Sequence, residues 1–477
     1  MNRLFVICFV LVGLVMLTGC PMQESRVERA RRLKKEQAKK VAAAKKADPD
    51  KAKSASKPAA KPAPKPAVKP VTKPAPPKPA EPAPTANQAD VDAVIAKTKE
   101  FGSETNTYKL SSTGALTQLT IKTELLTIDD VKLIAKLSDL VDLAFLDCRA
   151  AFNDDCTREL EPLKDKLVSL RIGNATITNA SLEIISEFPN IETLILNHDV
   201  GINDEGAAFL TKMEKLKNLN MIYTNLTDSG MISVRMIPNL KSLDIRGCTI
   251  ISDTGLRTLA RRGQVKLTSF QHSGNAVTDT GIESLTQIET LENLHLQDFS
   301  LSDQAGEWLK KFKNLKSLVV FRCGEFGSQG LLQLKGLPLN RLTIRGLDKI
   351  GDDGMDVFSE LPNLKRLYLV EMYGITDAGI GKIAAAKSIE LLEIEMMSDI
   401  SNESLKAIAT LPNLKELKLK ATSITNDGLD TILGMPKLTK LSLLDNDKID
   451  SKAAEEKLKS KKFELLNIGK TRGEVEE

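Results

Sequence analysis

Apolar residues recur along most of this chain in the order apolar–x–x–apolar–x–apolar. In residues 364–369, for example, the apolar positions are Leu364, Leu367 and Leu369. Successive side chains of a β-strand point to opposite faces, so such a segment turns one set toward a core and the other toward solvent. Each copy of the pattern therefore predicts a short β-strand that is buried on one side.

Fifteen copies of the pattern follow one another, and their first apolar positions are 24 to 27 residues apart. One repeat of this size cannot bury its own apolar side, so the repeats must stack on one another. The period therefore predicts a solenoid of parallel strands, each joined to the next by a crossover helix. The copies begin at Leu116, Leu140, Leu167, Ile191, Leu216, Leu240, Leu267, Leu291, Leu315, Leu339, Leu364, Ile389, Leu414, Leu438 and Phe463.

A second motif follows most of the strands, as in the order Ile-Thr-Asp-x-Gly-Ile at residues 375–380. Thr376 or Asp377 can cap the free backbone N–H groups at the start of a helix. Gly379 lets that helix approach its neighbour closely, and the Pro-Asn pair before the next strand turns the chain. Capping explains the recurring aspartates, so we do not interpret them as calcium ligands.

This repeat resembles that of the leucine-rich repeat proteins, in particular the ribonuclease-inhibitor-like class, and the resemblance covers residues 108–468. It implies an α/β solenoid, a horseshoe with fifteen parallel strands inside and helices outside. The Asn or Cys ladder that often follows the strands of this class is mixed here, with Cys248, Phe299 and Asn446 among its members. The fold hosts many unrelated binding functions, so the resemblance does not identify a partner.

The repeats occupy residues 116–468 and are flanked by two shorter segments. Residues 89–115 predict an N-terminal cap, formed by a helix and a hairpin, that covers the exposed end of the stack. Residues 469–477 predict a charged C-terminal tail.

The N-terminal residues predict export and membrane anchoring. Residues 1–19 contain Arg3 and an apolar run too short for a comfortable membrane span, which is typical of a secretory signal peptide. The sequence Leu-Thr-Gly-Cys at residues 17–20 resembles a bacterial lipobox, which implies that Cys20 is lipidated, and acyl chains anchor a protein to a membrane. We expect a location in the bacterial cell envelope, at the outer membrane rather than the inner one, because Pro21 is not aspartate. An ordinary signal peptide with a coincidental cysteine is the alternative.

Residues 20–88 predict a basic, disordered tether. Residues 21–89 carry 18 Lys and Arg against 6 Asp and Glu, whereas the 388 residues after them carry 48 against 57. Lys-Pro-Ala runs such as residues 57–84 cannot form a packed core and favour polyproline II. The tether therefore holds the solenoid away from the membrane, and its lysines could also bind peptidoglycan. We expect no nucleic-acid partner, because export removes the opportunity and aromatic residues are missing from the tether.

Motifs for catalysis, metals and cofactors are missing from the sequence. It contains no G-x-S-x-G, no P-loop and no G-x-G-x-x-G after a strand, and its three histidines do not share a face. We expect the cysteines to be buried small side chains, with a local disulfide between Cys148 and Cys156 as the alternative. The sequence therefore predicts a protein that is not an enzyme and that holds no metal or cofactor.

The concave surface consists of the outward strand positions, and its middle has an unusual composition. Phe321, Arg345, Arg366 and Tyr368 fall on three adjacent strands of an otherwise acidic solenoid. Aromatic residues and arginine are enriched at binding hot spots, so we expect a protein or peptide to bind here. The predicted partner-binding set also contains Arg341, Glu393 and Glu395.

Three functions are compatible with these features. The first is non-catalytic protein or peptide binding by an envelope lipoprotein. The second is a structural wall-associated spacer, in which the basic tether binds peptidoglycan and the solenoid packs against its neighbours. The third is an envelope hydrolase, which would need a titratable cluster in one pocket that the sequence does not offer.

Overall fold

The computed structural model describes residues 87–102, 106–261 and 265–471. All of them belong to one compact unit, Glu81–Glu477. The predicted signal peptide at residues 1–19, the lipidation site Cys20 and nearly all of the tether at residues 20–88 lie outside the described residues. The last part of the tail also lies outside them.

The described strands form one sheet in chain order, and β2 to β16 are parallel. The predicted leucine-rich repeat solenoid with fifteen parallel strands is therefore confirmed. β1 pairs antiparallel with β2 and adds a sixteenth strand at the N-terminal edge. The strands are β1 (Thr107–Leu110), β2 (Leu116–Ile121), β3 (Asp142–Asn153), β4 (Ser169–Thr176), β5 (Thr193–Asn197), β6 (Asn218–Asn220), β7 (Ser242–Asp244), β8 (Ser269–Ser273), β9 (Asn293–Gln297), β10 (Ser317–Phe321), β11 (Arg341–Arg345), β12 (Arg366–Val370), β13 (Leu391–Met397), β14 (Glu416–Thr422), β15 (Lys440–Leu444) and β16 (Leu465–Gly469).

Short helical segments connect the strands on the convex side. A 3₁₀ segment, Asp352–Glu360, takes the place of an α-helix between β11 and β12. Shorter 3₁₀ turns occur at Glu161–Leu163, Leu210–Lys212 and Asn426–Gly428. The α-helices are α1 (Gln88–Glu100), α2 (Ile128–Ile134), α3 (Asp154–Arg158), α4 (Asn179–Ile185), α5 (Asp204–Phe209), α6 (Met231–Arg235), α7 (Asp253–Ala260), α8 (Asp279–Leu285), α9 (Gln304–Leu309), α10 (Ser328–Leu332), α11 (Asp377–Ile383), α12 (Asn402–Ile408), α13 (Leu429–Leu433) and α14 (Ser451–Leu458).

The periodic apolar positions form one continuous core along the solenoid. Leu364, Leu367 and Leu369 are fully buried, and the equivalent residues of the other repeats pack against them from both sides. Burying a leucine side chain contributes roughly 1.5–3 kcal/mol. Because that burial needs the neighbouring repeats, stability comes from stacking rather than from any single repeat.

The Thr-Asp pair of the second motif has two separate roles, and the predicted role of its aspartate was wrong. Thr376 caps α11, because its hydroxyl accepts a hydrogen bond from the Ala378 N–H group at 3.2 Å. Asp377 instead accepts bonds from the N–H group and the hydroxyl of Ser401, at 2.8 and 2.5 Å, one repeat further on. Sequence alone favoured capping because aspartate is a common cap and the true donor is 24 residues away.

We call this set of aspartate bonds between repeats the outer ladder. In each case one carboxylate accepts from both the N–H group and the hydroxyl of a Ser or Thr that lies just before the next helical segment. Such bonds tie successive helices together at the convex edge. The outer ladder joins Asp154 to Thr178, Asp204 to Thr227, Asp228 to Ser252, Asp253 to Thr278, Asp279 to Ser302, Asp352 to Thr376 and Asp377 to Ser401.

The glycine of the motif makes room for the outer ladder. A Cβ atom on Gly379 would lie 2.2 Å from Oδ1 of Asp352, a distance that real atoms do not adopt. In repeats that have serine in place of this glycine, the serine hydroxyl donates a hydrogen bond to the aspartate carboxylate. Ser404, which is fully buried, donates to Asp377 at 2.5 Å. The predicted close approach at Gly379 is therefore present, and its neighbour is a carboxylate.

Cys148 and Cys156 are both buried free thiols, so the candidate disulfide between them was wrong. The Cys148 thiol points to the carbonyl oxygens of Leu146 and Ile121, at 3.5 and 3.9 Å. The Cys156 thiol points to the carbonyl oxygen of Ala151 at 3.5 Å. Burial raises the pKa of both thiols, which keeps them protonated.

Candidate binding surface

The register of the sheet brings the predicted concave residues together on β10, β11 and β12. Phe321 lies beside Arg345, and Arg341 lies beside Arg366. Tyr368 follows Arg366 on the same face of β12, two residues along the strand. We call Phe321, Arg341, Arg345, Arg366 and Tyr368 the central patch.

Phe321 and Arg345 form the first stack of the central patch. The guanidinium carbon of Arg345 lies 4.6 Å from the centre of the Phe321 ring. Arg345 also donates to a carboxylate oxygen of Glu371 at 2.8 Å. This ion pair fixes the guanidinium group in place, so Arg345 is a neutralised part of the surface.

Arg322 also contacts Phe321, and sequence reasoning missed it. Its guanidinium carbon lies 4.3 Å from the Phe321 ring centre, and its nitrogens donate to Asp298 at 2.7 and 2.9 Å. Arg322, Asp298 and Glu371 share one position directly after the strands, where the backbone has a positive φ near 50–57°. Counting seven residues from the first apolar position of each repeat would have identified this row.

Arg341 and Tyr368 form the second stack, which differs from the first in its charge balance. The guanidinium carbon of Arg341 lies 4.7 Å from the Tyr368 ring centre. Within the described part of the chain, neither Arg341 nor Arg366 forms an ion pair with a carboxylate, although both side chains are exposed. Two adjacent guanidinium groups therefore face the concave side without an internal counter-charge.

Two polar atoms near this arginine pair also have no partner among the described residues. Oγ1 of Thr343, which lies between Arg341 and Arg345 on β11, is buried and makes no hydrogen bond. Nε2 of His295 on β9 is also buried and makes no hydrogen bond. Burial lowers the pKa of His295 to about 4, so its imidazole is neutral at neutral pH.

The predicted binding residues Glu393 and Glu395 lie on β13, but their charges are already paired. Lys418 binds Glu393 at 3.1 Å, and Lys420 binds Glu395 at 2.9 Å. These residues line a groove of about 320 Å³ toward the C-terminal end of the concave face. The structure thus separates a self-neutralised lysine–glutamate surface from the arginines of the central patch.

The described residues offer few other candidate sites for metal binding, membrane insertion or catalysis. No group of three or more His, Cys, Asp or Glu side chains there could hold a metal ion. No helix in these ranges is long and apolar enough to cross a membrane. His198 stacks on Tyr223 with ring centres 4.5 Å apart, and His272 is fully buried, which lowers its pKa to about 4. None of these groups joins the central patch.

A further cavity lies on the helical side, away from the concave face. It has a volume of about 700 Å³ and is lined by residues of α6, α7 and α8, including Arg235, Arg257 and Glu283. Its lining contains none of the predicted binding residues.

Comparisons with known proteins find one family match and several similar solved structures. The family described as Leucine Rich repeat matches residues 237–260 of this chain. A chain in the complex of Rad7 and Elc1 from yeast is similar at 18% identity and a TM-score of 0.49, covering 80% of this chain and 88% of that one. An internalin from Listeria monocytogenes is similar at 18% identity and a TM-score of 0.38, over 80% and 95% of the two chains. A chain in the TLR13–ssRNA13 complex is similar at 18% identity and a TM-score of 0.45, over 74% and 52%.

Proposed function

We propose that this leucine-rich repeat chain binds a protein or peptide without catalysis, through the central patch of its concave face. The observation that carries this proposal is the pair of arginine–aromatic stacks on three adjacent strands. Arginine and aromatic side chains supply much of the energy at protein interfaces, since they bury large areas with little loss of conformational freedom. The stacks hold both guanidinium groups in defined positions before a partner arrives, which lowers the entropy cost of binding.

We also propose where the protein is located in the cell. The signal-peptide pattern at residues 1–19 and the lipobox ending at Cys20 support a lipid-anchored protein of the bacterial envelope. In this arrangement the Lys-Pro-Ala stretch of residues 57–84 gives the solenoid reach from the membrane. Radiolabelled palmitate incorporation into the wild-type chain and into Cys20→Ala tests the anchor directly. Equal labelling of both chains would exclude lipidation at Cys20.

The binding proposal is tested by affinity capture from solubilised envelopes with the full chain in detergent. The test variant combines Arg345→Glu, Arg366→Glu and Tyr368→Ala. We expect a protein that the wild-type chain retains and that the variant loses. Retention of the same proteins by both chains would contradict a role for the central patch.

A matched control variant separates the patch from general changes in charge. Arg158→Glu, Arg257→Glu and Tyr108→Ala make the same changes in charge and aromatic content on α3, α7 and β1, and all three residues are exposed. We expect this control to retain the partner as the wild-type chain does. Thermal unfolding of each variant, followed by circular dichroism, checks that loss of the partner is not loss of the fold.

The wall-associated spacer is the second candidate, and the excess of basic residues at 21–89 favours it. Sedimentation of the full chain with isolated peptidoglycan tests it, beside a chain in which the lysines of residues 57–84 are replaced by glutamine. If only the unaltered chain sediments, and the central-patch variant captures the same proteins as the wild-type chain, the spacer explains the observations better than the binding proposal does.

A further inference from the structure

We propose that Arg341 and Arg366 bind a carboxylate of an acidic protein segment, so that the partner is selected by negative charge at this point of the concave face. This inference rests on the proposed function, because it names the chemistry of the ligand at the same surface. It assigns different roles to the arginines of the central patch. Arg345 supports Phe321, whereas Arg341 and Arg366 contact the ligand.

The first argument is the absence of an internal counter-charge. The three neighbouring cations Arg322, Arg345 and Lys418 each have a carboxylate within 3.1 Å. Arg341 and Arg366 have none among the described residues, although they are partners across adjacent parallel strands. Such strands are about 4.8 Å apart, so the two guanidinium groups can converge on one carboxylate. Arginine binds carboxylates with two parallel hydrogen bonds, and an anion placed between the pair also relieves their mutual repulsion.

The second argument is the neutral groove beside the pair. Arg341 lines a groove of about 340 Å³ together with Asn293, His295 and Ser317. Apart from Arg341, the side chains of this groove are neutral at neutral pH, because burial lowers the pKa of His295 to about 4. The groove can therefore take the uncharged part of a peptide whose carboxylate lies on the arginine pair.

The third argument concerns how many negative charges the ligand carries. Residues 90–477 carry 48 Lys and Arg against 57 Asp and Glu, so the solenoid as a whole repels a long polyanion. On the C-terminal side of Arg366, the concave groove is lined by Glu390, Glu416 and Glu464 as well as by lysines. Nucleic acid needs a continuous stripe of unpaired cations that follows its phosphates. An isolated pair of arginines between neutral and acidic surfaces suits one or two carboxylates of a protein segment instead.

The experiment begins with selection of random dodecapeptides, displayed on phage, by the full chain in detergent. Peptides recovered by the wild-type chain should be richer in Asp and Glu than those recovered by the variant Arg341→Ser/Arg366→Ser. The strongest peptide is then synthesised with an amidated C-terminus, in its acidic form and with each Glu or Asp replaced by Gln or Asn. Affinities are measured by fluorescence anisotropy.

We expect the amide replacement to weaken binding to the wild-type chain at least about tenfold, and binding to Arg341→Ser/Arg366→Ser less than about twofold. The matched control is Lys418→Ser/Lys420→Ser, which removes two cations that are already paired with glutamates. On this control the replacement should again cost about tenfold. A carboxylate that acts anywhere else on the face would not give this pattern.

Three results would overturn the inference, and they are distinguishable. Peptides that bind the central patch but show no preference for Asp or Glu would leave the proposed function standing and exclude the carboxylate site. Recovery of no peptide by the wild-type chain would count against both. Salt-sensitive binding of a fluorescein-labelled oligouridylate to the wild-type chain, lost in Arg341→Ser/Arg366→Ser, would show that the arginine pair recognises a polyanion and not a protein.

Discussion

The outer ladder and the central patch show two opposite uses of charge within the same repeats. In the outer ladder each carboxylate accepts two hydrogen bonds from the next repeat, and the arrangement recurs from Asp154 to Asp377. In the central patch, Arg341 and Arg366 form no ion pair with a carboxylate among the described residues. Polar groups that recur with the period are satisfied within the fold. The two exposed arginines remain available to a ligand.

Substitution of Gly379 should produce the largest loss of stability, because it breaks the outer ladder by steric conflict. In Gly379→Val the new Cβ would meet Oδ1 of Asp352 at 2.2 Å, so the carboxylate and both of its bonds to Thr376 must move. Overpacking costs about 1–3 kcal/mol, and bonds to a charged group add roughly 1.5–3 kcal/mol, so we expect a loss of about 4 kcal/mol. Urea unfolding followed by circular dichroism measures this loss.

Gly381→Val is the matched control, because it makes the same change in the same helix. A Cβ at Gly381 has no neighbour within 4 Å, and glycine is already a poor helix former. This variant should unfold within about 0.5 kcal/mol of the wild-type chain. Equal losses in the two variants would mean that helix propensity, rather than the outer ladder, controls stability here.

Asp199 is an aspartate outside the outer ladder, and its carboxylate is buried. It can therefore be compared with the aspartates of the outer ladder, whose carboxylates are hydrogen-bonded. Its Oδ1 accepts a bond from the Ala175 N–H group at 2.9 Å, but Oδ2 has no partner and the side chain is fully buried. Asn446 holds the equivalent position in a later repeat, and its amide donates to the carbonyls of Leu419 and Leu444 at 2.7 and 3.1 Å. A protonated Asp199 can imitate this amide, and an ionised one cannot.

Burial accordingly raises the pKa of Asp199 from 3.8 to about 7. The folded chain then binds more protons than the unfolded chain between these two values, so stability falls as pH rises from about 4 to about 7. Asp199→Asn should remove this loss and stabilise the protein by on the order of 3 kcal/mol at about pH 8, with much less change at about pH 4. Urea unfolding of both chains at the two pH values tests the sign. If Asp199→Asn were less stable than the wild-type chain at the higher pH, the Asp199 carboxylate would be charged and fully hydrogen-bonded in the folded chain.

The sequence was most informative where a pattern repeats. The apolar positions represented by Leu364, Leu367 and Leu369 placed every parallel strand, because burial on one face demands a fixed spacing. The close approach at Gly379 was also predictable, since a small residue at this position of the motif lets the helix pack close to its neighbour. Four residues of the central patch could be placed on three adjacent strands by counting alone.

Sequence reasoning failed where a partner lies a whole repeat away. Asp377 has the same local pattern whether it caps its own helix or bonds to Ser401, so only the structure distinguishes the two. Cys148 and Cys156 are close along the chain, yet their thiols point to different carbonyls. Glu371, which pairs with Arg345, has a positive φ, and the sequence does not indicate this conformation at a residue other than glycine.

The smallest effect on stability should come from the arginines of the central patch, and this is where the comparison with the outer ladder is sharpest. Arg341→Ser/Arg366→Ser removes two exposed side chains with no ion pair among the described residues, so it should change the free energy of unfolding by less than about 0.5 kcal/mol. Arg345→Ser also breaks the ion pair with Glu371, which is worth about 0.2–1 kcal/mol at a partly exposed site. Urea unfolding of the two variants beside the wild-type chain provides the test. If the double variant were the less stable of the two, Arg341 and Arg366 would be part of the packing of the fold, and their lack of a counter-charge would no longer indicate a ligand.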